Sequence, residues 1–471
     1  MVTDHPTTCP QCQRLQARLD AQQVQLDALQ ATITQLQEQL AAARKDSSTS
    51  SKPPSSDIVK PPQHSASQSK RSQGGQPGHP HHLRVPFAPE LVQVINHTAQ
   101  ACPDCGQGLQ PIDATARVVQ QVEITDIPLR IEEHRGLPGW CPHCQALHYA
   151  PFPDAVAAGG LVGPRLTVLI AYLKGACHAS YSTIRKFCRD IVGLAISRGQ
   201  LAKIVNKVSV ALDEPYQELL ENLRAQERLN VDETGHREKG ERWWTWCFRA
   251  DLYTLFKIDP TRSGDVLLEV LGQEFDGVLG CDYFSAYRRY MRETGTLLQF
   301  CLAHLIRDVK FLTTLPGAQE RAYGERLREA LRELFSVIHR REQYSAGGFE
   351  LLLLAARDEV LRCALTAVPA GQHSQNVAER FRQHGPAYFQ FITTPGVAPT
   401  NNLAEQAIRF VVIDRLLTQG TRSVKGRRWC ERIWTVMATC SQQGKSVFEY
   451  LCQAVTASFE KAPAPSLLPK G

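Results

Sequence analysis

Residues 228–282 read RLNVDETGHREKGERWWTWCFRADLYTLFKIDPTRSGDVLLEVLGQEFDGVLGCD, and along this stretch the apolar period changes from helical to alternating. RLNVDETGHR, ERWWTWCFRA and DLYTLFKID read as successive antiparallel strands joined by short polar turns, the second around Ala250-Asp251. SGDVLLEVLG then reads as a helix, and DGVLGCD as a short apolar strand that ends on an acid. The order places Asp232 on the first strand and Asp282 at the end of the fourth.

The third acid is Glu405, one turn into TNNLAEQAIRFVVIDRLL, a helical stretch starting near Asn402. Carboxylates are hard ligands, and Mg²⁺ or Mn²⁺ is held by one or two of them together with substrate phosphates and water. Two such ions about 3.5–4 Å apart activate an attacking oxygen and stabilise a leaving one. Asp232, Asp282 and Glu405 are therefore the candidate catalytic and metal-ligating residues for phosphoryl transfer. Each acid also has a plainer reading: Asp282 as the N-cap of YFSAYRRY, Glu405 in a capping box with Asn402, and Asp232 as an exposed strand-end residue with Glu233 as a rival ligand. Their joint placement on strand, strand and helix favours the metal site. Three hairpin-linked strands, a helix and a further strand match the opening of a ribonuclease H-like fold. The long span from Asp282 to Glu405 contains helical runs such as ERLREALRELFSVIHRR, predicting an all-helical insertion over about 290–395.

Outward from this core the chain changes character. Leu19, Leu26, Ile33 and Leu40 occupy one heptad position and Leu15, Gln22, Leu29 and Leu36 the other, which predicts either a self-associating coiled coil or a lone amphipathic helix. Residues 46–85 are rich in Ser, Pro and Gly and read as a disordered linker. Cys102-Pro-Asp-Cys105 and Cys141-Pro-His-Cys144 flank an alternating stretch and suit one tetrahedral Zn²⁺ in a zinc ribbon, as a DNA-binding module or a purely structural staple. Cys9 and Cys12 form a lone pair at the terminus. Three helical pieces follow, with Ser182 and Ser197 at N-cap positions and Gly193 just past the second piece. They fit either a helix-turn-helix unit that reads DNA through Arg198, Gln200, Lys203 and Asn206, or a plain packing unit. In CLAHLIRDVKFL, His304, Arg307 and Asp308 share one helical face, either as a salt-bridged surface or with His304 and Arg307 against a DNA phosphate. The stretch after Glu405 is basic: Arg409, Arg415, Arg422, Lys425, Arg427, Arg428 and Arg432 are opposed by Asp414 and Glu431. Such a surface holds phosphates. Of the tryptophans, Trp244 and Trp246 fall on one strand face and read as core.

The composition sets wider bounds. At 471 residues and 43% apolar content the chain can bury more than one core. A net charge of +6 is too small by itself to establish a polyanionic partner. Fifteen cysteines, several in CxxC pairs, suit metal binding in a reducing compartment rather than disulfides. No apolar run is expected to reach bilayer-spanning length and the N-terminus lacks a signal-peptide pattern, so a cytoplasmic protein without membrane contact is expected.

SSKPPSSD, GGQPGH, the paired CxxC knuckles, VDETG, GCDYFSAY, CLAHLIRD, TNNLAEQAIR and the GTRSVKG turn together resemble the insertion-sequence-66 family of transposases, in the DDE superfamily. The resemblance runs from the zipper to the C-terminal helices. It implies a DDE triad, which maps by motif position onto Asp232, Asp282 and Glu405, and accessory proteins from the same element. Thr421-Arg422-Ser423 stands where the family has a Phe-Arg-Ser-like turn, and the basic residue is kept. The expected protein is a multidomain α/β chain: leucine-zipper coiled coil (13–45), linker (46–85), zinc ribbon (86–155), helical DNA-binding unit (160–225), DDE catalytic domain (226–415) and basic C-terminal helical segment (416–471). The expected function is binding of terminal inverted repeats, strand cleavage and transfer to target DNA, in a homo-oligomer associated with the bacterial nucleoid when active. A catalytically silent DNA-binding protein and an assembly platform are the alternatives.

Overall fold

The computed structural model describes residues 10–45, 49, 89–91, 129–135, 137–141, 143 and 145–468. The chain divides into two compact units. The smaller, residues 62–133 and 191–193, includes a single helical turn at Pro89–Leu91 among its described residues. The larger, residues 1–61, 134–190 and 194–471, carries the sheet and the helices around it. In it, helix α1 (Pro10–Ala43) spans the heptad stretch, and its seam residues Leu15, Leu19, Leu26, Leu29, Ile33, Leu36 and Leu40 are exposed. A hairpin of β1 (Pro138–Cys141) and β2 (Ala146–Tyr149) follows, with Cys141 opposite Ala146. The side chains of Cys9, Cys12, Cys102, Cys105, Cys141 and Cys144 lie outside the described residues, as does the linker apart from Thr49.

Five helices form the next layer: α2 (Asp154–Gly159), α3 (Pro164–Gly175), α4 (Tyr181–Asp190), α5 (Arg198–Ala211) and α6 (Asp213–Asn222). Ser197 caps α5 as expected, accepting from Gln200 N. The cap of α4 is Ser180, which accepts from Thr183 N at 3.0 Å, and Ser182 lies inside the helix. Asp154–Gly175 is long and apolar enough by composition to cross a membrane, contrary to the expectation from the sequence. It breaks between Gly160 and Gly163 into α2 and α3, and buries Val168, Ile170 and Ala171 in the core.

The sheet holds β3 (Arg228–Glu238), β4 (Glu241–Arg249), β5 (Thr254–Asp259), β6 (Val278–Cys281) and β7 (Leu297–Phe300) in the order β5-β4-β3-β6-β7. β3, β4 and β5 are antiparallel neighbours, β6 runs parallel to β3, and β7 runs parallel to β6. Helices α7 (Asp265–Leu271) and α8 (Ser285–Thr294) connect β5 to β6 and β6 to β7. Val231, Trp246, Phe248, Phe256 and Phe300 are fully buried on this sheet; burying an apolar side chain of this size contributes about 2–3 kcal/mol.

The insertion consists of α9 (Leu302–Leu312), α10 (Ala318–His339), α11 (Ala346–Leu365), α12 (Gln372–His384) and the short α13 (Gln390–Thr393). It is helical as expected but starts at residue 301 rather than near 290, because Leu297–Phe300 is the fifth strand. LLQF shows no alternating period. Buried Gln299 ties β7 to the end of the insertion, donating to Tyr388 O and accepting from Phe391 N.

α14 (Asn402–Thr418), α15 (Val424–Gln442) and α16 (Val447–Phe459) close the fold. Glu431, Thr435 and Thr439, at i, i+4 and i+8 on α15, accept from the backbone N–H groups of Ile258, Phe256 and Thr254 at 2.8–3.2 Å. A helix thus satisfies the outer edge of β5, where each orphaned N–H would otherwise cost about 1–3 kcal/mol. The expected boundary at 415 therefore falls inside α14, and 416–471 is not a separate segment. Nor is 160–225, since the apolar faces of α3 and α5 share one core with α15 and α16.

Candidate metal centre

Successive side chains of a strand point to opposite faces, and β3 uses both. Asn230, Asp232 and Thr234 face α14: Asn230 Nδ2 donates to Asn401 Oδ1 at 2.9 Å, and Arg415 Nη1 donates to Thr234 Oγ1 at 2.9 Å. Buried Asn401 also donates from Nδ2 to Val231 O and from its backbone N to Cys301 Sγ. It is the residue before α14, and its side chain fastens the helix start to β3 rather than capping the helix. Glu405 is consequently not part of a capping box, and Asn402 is exposed.

Asp282 follows β6, next to β3, and its Oδ1 accepts from Phe284 N at 2.8 Å. Asp232 Oδ1 accepts from Glu233 N at 2.9 Å. Burial, followed by the charges of Glu233, Asp282 and Glu405, pushes the Asp232 carboxyl well above its ordinary range. Burial also raises Asp282, opposed by the Phe284 N–H and the Arg262 guanidinium. Glu405 Oε1 lies 3.5 Å from His304 Nδ1 and 3.6 Å from Arg307 Nη2, yet it is buried and no hydrogen bond reaches it. Burial and Arg307 push His304 down to about 3, so its imidazole is neutral near pH 7. Asp282 after β6 and Glu405 on α14 thus lie near enough to add to the burial that raises Asp232, but among the described residues the group whose ligand atoms lie within 4.8 Å of one another is Cys301, His304 and Glu405 rather than the three acids. A buried, raised Asp232 and the orphaned Glu405 Oε1 are what a hard divalent cation would relieve, so the chemistry of these residues fits such an ion.

The rival acid is already committed. Glu233 points to the other face, where Arg262 donates to its Oε1 at 2.6–2.8 Å and Tyr287 donates its hydroxyl proton to Oε2.

The basic residues divide in two. Arg409, Arg422, Lys425 and Arg428 are exposed, as are Arg198 and Lys203 on α5, while Gln200 and Asn206 are half-buried. Three members of the basic cluster instead hold the fold. Arg415 donates to Thr234 and Gly235 O, Arg427 pairs with Glu238 at 3.3 Å over the Trp243 ring, and buried Arg432 binds Ser209 O and Asp213. Asp308 pairs with Arg380, not with its own helix face. Trp246 is core, and Trp244 lies half-buried between Arg242 and Arg262. The GTRSVKG turn docks on β3 through Thr421 N to Arg237 O and Lys239 N to Thr421 O. Gly420 has φ 85° there, against Arg237 O, so a side chain would be both strained and obstructed.

Asn401, Arg262, Tyr287 and Cys301 are neighbours of the acids or of their supports that the sequence pattern does not single out. Asn401 and Cys301 sit inside motifs already quoted, TNNLAEQAIR and CLAHLIRD, whereas no local pattern marks Arg262 or Tyr287.

A model of the Transposase IS66 family matches residues 159–428, and a family of unknown function matches residues 7–85. Two curated proteins of Sinorhizobium fredii (strain NBRC 101917 / NGR234) are similar. The uncharacterized protein y4jD is 28% identical over 258 residues, which cover 49% of this chain and 50% of that protein. The uncharacterized protein y4qI is 24% identical over 345 residues, 67% of this chain and 63% of that protein. The chain thus spans less than two thirds of either relative.

Proposed function

This chain belongs to the IS66 family of transposases, and from that premise we propose that it cleaves DNA strands at element ends and joins them to target DNA at Asp232, Asp282 and Glu405. The observation that carries the reading is the approach of Asp282 and Glu405 to Asp232, whose buried carboxyl is raised first by burial and then by these carboxylate neighbours. The sheet order, antiparallel through β3 and parallel beyond it, supports a ribonuclease H-like core. When bound, two Mg²⁺ or Mn²⁺ ions supply activation of the attacking oxygen and stabilisation of the leaving one. Asp232 and Asp282 would hold the ions from adjacent strands. Asn401 fixes the register of α14, so that Glu405 completes the set from above the sheet. Arg307 offers a guanidinium beside Glu405 for a strand phosphate, with His304 next to it. Catalysis is then positioning plus charge stabilisation, without a covalent protein intermediate.

Exposed Arg409, Arg422, Lys425 and Arg428 hold the DNA backbone, and α5 reads terminal repeats through Arg198 and Lys203. Cys102, Cys105, Cys141 and Cys144 have the ligand chemistry that suits Zn²⁺. The exposed leucine seam of α1 pairs with a second copy as a coiled coil. Accessory proteins of the same element complete the assembly. The test is a supercoiled plasmid carrying both element ends. Mg²⁺-dependent nicking by the wild type should disappear in Asp232→Ala, Asp282→Ala and Glu405→Ala, and cleavage that persists in all three contradicts the assignment.

A further inference from the structure

Beside the acids lies a group of a different chemical kind. Cys301 follows β7 and is the N-cap of α9, and His304 lies in the first turn of that helix. Glu405 approaches from α14, and one ligand atom from each of Cys301, His304 and Glu405 lies within 4.8 Å of the others. Cys301 is buried, and the His304 Nδ1 and Glu405 Oε1 atoms are each buried without a hydrogen bond. Asn401 N donates to Cys301 Sγ at 3.2 Å, a contact that stabilises a thiolate and fixes its position. Sulfur, nitrogen and one carboxylate oxygen are a poor set for Mg²⁺, which prefers oxygen ligands, and a good set for Zn²⁺, which takes three protein ligands and leaves a fourth position open.

We propose that Cys301, His304 and Glu405 form a separate Zn²⁺ site that draws Glu405 away from Asp232 and Asp282, so that Zn²⁺ inhibits Mg²⁺-dependent strand cleavage. As Zn²⁺ binds, the Cys301 thiol proton is released to solvent and Sγ coordinates as the thiolate. Arg307, now 3.6 Å from Oε1, is a long side chain that turns outward when Oε1 takes the ion. The metal site stands on geometry alone, whereas the inhibition rests on the function proposed above.

Co²⁺ reports on thiolate coordination through its near-ultraviolet charge-transfer band. Titrated into the full-length wild type, Cys301→Ser, His304→Ala and Asp232→Asn, it should give a band in the wild type and in Asp232→Asn. That band should exceed what remains in Cys301→Ser and His304→Ala, since the CxxC knuckles contribute equally to all four proteins. Identical spectra from wild type and Cys301→Ser overturn the site. In plasmid cleavage with Mg²⁺, added Zn²⁺ should inhibit the wild type and spare Cys301→Ser, whose hydroxyl still accepts from Asn401 N. Equal inhibition of the two overturns the exclusion of Glu405. If no cleavage occurs in either protein, the strand-cleavage reading fails and takes the inhibition with it, while the Co²⁺ spectra still decide the site.

Discussion

On the α14 face of β3, Asp232 is raised first by burial and then by other carboxylates, Glu233, Asp282 and Glu405. One residue later, on the opposite face, Glu233 receives a guanidinium from Arg262 and a hydroxyl from Tyr287. Burial raises both acids, but only Glu233 has close opposing partners. Glu233 resembles a structural acid, buried and satisfied. Asp232, buried among carboxylates, has no cationic partner of this kind, and under the proposed function an ion would take that place.

The largest expected effect breaks the comparison on activity. Asp232→Asn should reduce plasmid cleavage below detection, while Glu233→Gln, which keeps an acceptor for Arg262 and Tyr287, should retain it. Next comes stability. Glu233→Ala strands Arg262 and should cost about 2–3 kcal/mol in urea unfolding, less than breaking a fully buried pair because Arg262 keeps some contact with water. Asp232→Asn should move the other way and stabilise the metal-free protein by about 1 kcal/mol. The sign follows from linkage. The folded Asp232 carboxyl is raised above its unfolded value, so the native state holds a proton that the unfolded chain releases, and stability falls as pH rises through that window. Asp232→Asn should flatten this slope, and a variant that keeps the wild-type pH profile would remove Asp232 as its source.

The smallest effect lies at the edge of the sheet. Burial pushes Glu431 up to about 7 from an ordinary 4.5, although its Oε1 accepts from Ile258 N. Here too stability should decline as pH rises from the unfolded value towards about 7. Glu431→Gln, which keeps the acceptor, should recover on the order of 1 kcal/mol at about pH 7 relative to about pH 5, as read from thermal unfolding across that range.

Local periodicity made β3, β4, β5 and β6 legible, and with them the positions of Asp232 and Asp282. It also located α14 and therefore Glu405. What it left out depends on distant partners. Arg415 and Arg427 look like DNA-binding residues in a basic run, yet each is spent on β3, on Thr234 and Glu238. Asn401 stands beside another asparagine, and only its contacts to Asn230, Val231 and Cys301 show which of the two fixes the helix. β7 escaped because LLQF, as short as β6, shows no alternation and does not run into an acid as VLGC runs into Asp282, and its position moved the start of the insertion.

A divalent ion on the Asp232 face of β3, and not on the Glu233 face, is the central claim. Calorimetric titration of Mn²⁺, without added Zn²⁺, into protein on element-end DNA, run for wild type, Asp232→Asn and Glu233→Gln, tests this most directly. Binding in wild type and Glu233→Gln that is lost in Asp232→Asn is the predicted result, and Mn²⁺ binding to Asp232→Asn as tight as to wild type would contradict it.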